Sequence, residues 1–262
     1  VTGAAKVDQA AAIVDHTAEG TSGTADFSNA GITDAVAAFA ATDGTLTTNF
    51  KAATAHDGDI AVVVTGAAKV DQAAAIVDHT ANGTSGTADF SNAGLSDAVL
   101  KFAATNGTLT DNFKLATAHD ANINVVVTGT AKVAQAAAIV NDGAEGTAGT
   151  ADFSNAGITD AIASMINAGA DGIHADLASV IGHDGNVGIT SNNGGTVAQI
   201  NFIKAATGYT GVITATMTDD AANLANLNTD RNDQLTLNLN AGTGTAAHLL
   251  AISAATGVTV NA

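Results

Sequence analysis

The amino-acid sequence predicts an α/β fold: a right-handed β/α solenoid of stacked strand–helix coils with a parallel sheet, about 20–25 residues per coil. Three observations carry this. The chain repeats itself every 63 residues, β-branched runs alternate with small-residue helical stretches, and Pro is absent from all 262 residues. The segment Thr24 to Gly31 recurs as Thr87 to Gly94 and as Thr150 to Gly157. Compared position by position, residues 1–63 and 64–126 differ at 11 sites and are identical at 52. The spacing divides the chain into repeat 1 (1–63), repeat 2 (64–126), a diverged repeat 3 (127–186) and shorter degenerate coils (187–262).

Each 63-residue unit reads as three coils. Ile60 to Val64, and Ile123 to Val127 one repeat on, are β-branched runs ended by Thr-Gly. In the helical stretch that follows, Val70, Ala73, Ala74 and Val77 share one face at i, i+3, i+4 and i+7. Small residues there let a helix approach a sheet closely. Gly83 to Gly86 breaks the helix, and Thr87-Ala88-Asp89-Phe90 reads as a short strand. Ser96 then caps a second helix, Asp97 to Thr105, with Leu95, Val99 and Phe102 on one side and Asn106-Gly107 as its stop. A third strand, Thr108-Leu109-Thr110, and a helix around Asn112 to Ala118 complete the unit.

The C-terminal part follows the same alternation. Strands are expected at Val187 to Thr190, Val212 to Thr216, Leu235 to Leu239 and Val258-Thr259-Val260. Helices are expected at Val197 to Ala206, Asp219 to Leu227 and Ala246 to Ala255. Helical crossovers join parallel strands, so all strands are expected to run the same way, about thirteen in total. The missing Pro fits this, because each central strand must donate its N–H groups to the next coil.

Composition limits the chemistry. There is no Cys, hence no disulfide, thiolate metal site or cysteine nucleophile. Lys and Arg number 8 against 25 Asp and Glu, a net charge of −17, which argues against nucleic acid as a partner. No apolar run is long enough to span a membrane as a helix. The chain opens on Val1 in the middle of the pattern, since Val1 to Lys6 repeats as Val64 to Lys69. It is therefore expected to be a segment of a longer protein, or one processed at its termini.

The His-Asp pairs His56-Asp57, His119-Asp120 and His183-Asp184 are the most tempting constellation, as dyads for metal binding or proton transfer. They also fall where a short helix ends, where a His suits the helix dipole and an Asp opens a turn. Repetition favours that structural role, and His16 and His79 at the end of the first helix share it. Calcium is the better-motivated ligand. Asp57, Asp59, Asp184, Asp219, Asp220, Asp230 and Asp233 are its candidate ligands, hard oxygens clustered on expected loops. No EF-hand loop, nucleophile elbow or phosphate loop is present. Phe27, Phe90 and Phe153 recur as core, and Tyr209 is the candidate exposed aromatic.

Two resemblances follow. Ala25-Asp26-Phe27-Ser28-Asn29-Ala30-Gly31-Ile32-Thr33-Asp34 resembles the leucine-rich-repeat consensus, which implies a β/α solenoid. Ala30 stands where that family places its ladder Asn, and Asn29 comes one place early. The Ala-, Thr-, Gly-, Asn- and Asp-rich, acidic, Cys-free tandem repeats are similar to bacterial secreted surface proteins such as S-layer proteins and repeat adhesins. That resemblance implies an extracellular, cell-surface location and export by a C-terminal signal. The function expected is a non-enzymatic structural component of a surface layer, sheath or filament, self-assembled into a homopolymer. The alternative is an adhesin, or a module binding calcium or a glycan such as cell-surface polysaccharide.

Overall fold

The structure, a computed structural model, describes residues 1–258 and 260–261. Among these residues there are twelve α-helices and eleven strands, and the sheets are parallel. In chain order, repeat 1 carries α1 (Val7–Val14), β1 (Ile32–Ala35), α2 (Val36–Phe39), α3 (Thr48–His56) and β2 (Val62–Thr65). Then come α4 (Val70–Val77), β3 (Ala88–Asp89), β4 (Leu95–Ala98), α5 (Val99–Phe102), α6 (Asp111–His119) and β5 (Val125–Thr128). Repeat 3 carries α7 (Val133–Ile139), β6 (Ala151–Asp152), β7 (Ile158–Asp160), α8 (Ile162–Met165) and α9 (Ala175–His183). The remainder is β8 (Ile189–Ser191), α10 (Val197–Lys204), β9 (Ile213–Asp219), α11 (Ala221–Leu224), β10 (Gln234–Leu239), α12 (Ala246–Ala254) and β11 (Val260–Asn261). Thr259, within the last expected strand, lies outside the described residues.

The chain divides into two compact units. The first comprises 1–104, 108–127 and 138–151. Here β1 and β3 flank β2 in one three-stranded sheet, and a second sheet has the order β4-β5-β6. Ile32 pairs with Val62 and Val62 with Ala88, so each strand advances the ladder by almost half a repeat. The second unit, 105–107, 128–137 and 152–262, holds a five-stranded sheet in the order β7-β8-β9-β10-β11. Its later steps are shorter: Gln234 pairs with Thr214 and Val260 with Leu237.

Two passes per repeat, rather than three, is the main departure from the sequence reading. The expected strand Thr108-Leu109-Thr110 never reaches the parallel ladder. Leu109 instead makes an antiparallel bridge with Ala103, as Leu46 does with Ala40 and Ile173 with Ile166. The turn between them explains why. Gly107 has φ +83° and Gly44 has the same value, so Asn106-Gly107 closes a tight hairpin rather than ending a long helix. The expected helix from Asp97 is accordingly reduced to α5. Leu95 to Ala98 is strand, and Ser96 caps nothing. The carboxylate of Asp97 is engaged elsewhere, accepting the N–H of Val70 at the start of α4 (3.2 Å). The helix expected over Asp219 to Leu227 likewise shrinks to α11, because β9 runs on through Asp219.

Packing follows the small-residue pattern. Val70, Ala73, Ala74 and Val77 are buried along α4. Phe27, Phe90 and Phe153 are fully buried, as their identical placement predicts. Phe39 meets Phe50 edge-on at 5.1 Å between ring centroids, and Phe102 meets Phe113 with the same geometry one repeat later.

Candidate functional site

The polar groups that recur with the repeat are the natural place to look for chemistry, and their bonds can be followed copy by copy. His56, His119 and His183 are the last residues of α3, α6 and α9, and the following Asp is the C-cap in each case. The carboxylate then reaches across to the preceding pass. Asp57 accepts the N–H of Phe27 (2.5 Å), Asp120 that of Phe90 (2.8 Å) and Asp184 that of Phe153 (2.7 Å). These amides sit beside fully buried rings and would otherwise lose a partner inside the fold. The Asp therefore serves the main chain, while His56 and His183 remain exposed. Among the described residues the one His–carboxylate contact is His174 Nδ1 to Asp176 Oδ2, at 3.5 Å and on the surface.

A second set of bonds was not legible as a motif. Asp34, Asp97 and Asp160 accept the first helical N–H of α1, α4 and α7, from Val7, Val70 and Val133, at 3.1 to 3.2 Å. The ammonium groups of Lys6, Lys69 and Lys132 lie 3.6, 4.0 and 3.7 Å from the same carboxylates. Gln9, Gln72 and Gln135 accept the N–H of those lysines, closing the helix start from inside, and Gln199 does so for Thr196. Buried threonines add a third set. Thr84 Oγ1 donates to the Ile60 carbonyl (2.5 Å), Thr147 to that of Ile123, and Thr256 to that of Leu235 (2.8 Å). Only the 63-residue spacing of these residues, which Gln199 and Thr256 do not share, hints at such roles.

The candidate calcium ligands divide between the two units. In the first, Asp57 and Asp59 are neighbours: burial, and then the adjoining Asp59 carboxyl, push the Asp57 carboxyl above its ordinary value. The corresponding residues of repeat 2 are Asp120 and Asn122, so the pair is not repeated. In the second unit Asp184 is bound to Phe153 as described. Asp219 accepts from the Asp220 N–H and the Asn223 side chain, both at 2.8 Å, and Asp220 is the N-cap residue of α11.

Asp230 and Asp233 do converge, and they converge on Lys204. Its ammonium lies 3.2 Å from Asp230 and 2.8 Å from Asp233. Asp233 is fully buried and also accepts the N–H groups of Ile213 (2.9 Å) and Asp230 (3.0 Å). Burial draws the Lys204 ammonium down, but the two carboxylates outweigh it and hold it above the ordinary lysine value. A cation is thus already present between these oxygens, and it is a side chain. No group of three or more His, Asp and Glu placed to hold a metal ion occurs among the described residues.

Tyr209 differs from expectation. It is buried rather than exposed, and its hydroxyl has no hydrogen-bond partner. Burial, then the Asp233 carboxylate, raise its phenol far above the ordinary value, so it stays neutral. One open groove of the second unit, about 480 Å³, is lined by Leu249, Ile252, Val258 and Val260, with Arg231 as the charged side chain among its described residues, and another, about 520 Å³, is lined by Asp220, Leu239, Thr243 and Leu249. The first lining places apolar surface beside the Arg231 guanidinium and the side chains of Ser253 and Thr256. Compared with known proteins, the chain matches no family model, no curated protein and no solved structure. No helix among the described residues is long and apolar enough to cross a membrane.

Several carboxylates are placed so that stability is expected to depend on acid pH. Asp71 is held below the ordinary 3.8 by its hydrogen bond to Lys101, aided by Asn112 and opposed by burial. Asp15, Asp26, Asp43, Asp219 and Asp230 are lowered as well, each by hydrogen bonds to its charged form. A lowered carboxyl contributes stability that is fully present above its unfolded value and is lost as pH falls through its folded value. Asp57, raised, acts in the opposite sense. The expected outcome is a thermal midpoint that declines on acidification below pH 3.8, with a shallower decline in Asp71→Asn, followed by circular dichroism.

Proposed function

We propose that the chain is a non-enzymatic building block of an extracellular surface layer, sheath or filament, and that its parallel passes form a continuous β/α solenoid. The observation that carries this is the repetition of whole sets of bonds. The Asp to Phe N–H contact occurs in three successive copies, as do the Asp to helix N–H contact and the Gln cap. A binding or catalytic site is normally singular, whereas a stacked array repeats what packing needs. Here three sets of Asp and Thr side chains at the repeat spacing join one pass to the next. A net charge of −17 keeps such a surface solvated. Exposed Leu249 and Leu250 on the last helix supply apolar surface for contact between molecules.

Negative-stain microscopy of the purified chain over a range of concentrations tests the reading. Threads or sheets that lengthen with concentration are expected. Monodisperse single molecules at every concentration, both in calcium and in chelator, would overturn it.

A further inference from the structure

The two copies of the first helix make an internal comparison. Residues 1–14 and 64–77 are identical in sequence, yet their surroundings differ. On α4, Ile76 is fully buried and Gln72 is 3% exposed, whereas on α1 Ile13 is 37% exposed and Gln9 is open to solvent. What covers α4 is the coil before it. The Gln72 side-chain amide donates to the Ala40 carbonyl (2.8 Å), and Thr84 Oγ1 donates to that of Ile60 (2.5 Å). Thr54 Oγ1 donates to the Asn82 carbonyl and the Ser85 N–H to the Gly58 carbonyl, both at 2.8 Å. The approach is close enough that a Cβ on Gly44 would lie 2.9 Å from the Asp71 carbonyl oxygen.

We propose that the outer face of α1 is a docking surface for one more coil of this repeat. Its occupant is a segment with the sequence of residues 36–61, carried by another copy of the 63-residue unit on the N-terminal side of the same polypeptide. The chemistry of that occupant is set by what α4 receives. It brings a carbonyl at the Ala40 position for Gln9, a carbonyl at the Ile60 position for Thr21, and a hydroxyl at the Thr54 position for the Glu19 carbonyl. Coils that end a repeat array normally carry a polar outer face. This one instead keeps Ile13, Gln9 and the alanines of an internal coil unchanged. The inference rests on the stacked-coil reading above.

The test places a copy of residues 1–63 in front of Val1 of the full chain, so that its last residue, Val63, joins Val1 as Val63 joins Val64. In the extended protein the α1 amides are expected to exchange about tenfold more slowly, or slower still. Gln9→Glu keeps the acceptor for the Lys6 N–H and removes the donor, and Ile13→Lys removes the apolar contact. Both are expected to shift the thermal midpoint of the 262-residue chain by about 1 °C at most, and that of the extended chain downwards by about 3 °C or more. Equal exchange of α1 in the two chains, or equal effects of the variants in both, would overturn the proposal. So would self-association of the unextended chain that Ile13→Lys abolishes, since the face would then belong to a second molecule. Failure to form filaments leaves the exchange comparison intact, so the two readings fail separately.

Discussion

Asp233→Ala is expected to destabilise the chain by about 3 kcal/mol in urea unfolding, the lower end for breaking a buried ion pair. The residue is fully buried and accepts from three donors: Lys204 Nζ and the N–H groups of Ile213 and Asp230. Removing it strands the Ile213 amide at the edge of the core strand β9 and leaves an ammonium facing a void. The loss stays at the lower end because the Lys204 side chain is 20% exposed and retains Asp230. The neighbouring Asp230→Ala is the internal control. Its carboxylate is about half exposed, so its pair with Lys204 is worth about 1 kcal/mol or less. Equal effects of the two substitutions would mean that the buried carboxylate does not organise the corner between α10, β9 and β10.

Asp184→Ala is expected to cost about 1–3 kcal/mol, the desolvation penalty of a buried amide left without an acceptor. The amide is that of Phe153, whose ring is fully buried. Asp184→Asn keeps one acceptor oxygen and should lose much less. Asp184 is itself buried, while Asp57, its counterpart in repeat 1, is only half-buried beside Asp59. The same substitution there should accordingly cost less.

The alternation of strand and helix, the parallel pairing and the buried phenylalanines were all legible in the sequence, because periodicity and β-branching report burial directly. The number of passes per repeat was not. Thr108-Leu109-Thr110 has the composition of a strand, and only the Asn106-Gly107 turn decides that it folds back on Ala103. Likewise Ser96 and Asp97 look like a helix start in isolation. The pairing of β4 within its sheet and the demand of the Val70 N–H for an acceptor hold them in extended chain instead. The His-Asp pairs stand at helix ends, as their local sequence implies, but the acceptor role of the Asp depends on a residue thirty positions earlier, beyond any local pattern. Tyr209 is buried against expectation, since a lone Tyr in a polar stretch carries no periodic signal.

If the recurring carboxylates join pass to pass and hold no cation, calcium leaves their contribution to stability unchanged. The most direct measurement is the thermal midpoint of the unsubstituted chain and of Asp184→Ala, each in calcium and in chelator. The same loss of midpoint is expected in both conditions. A loss that appears in calcium and vanishes in chelator would contradict it and return Asp184 to the role of a ligand.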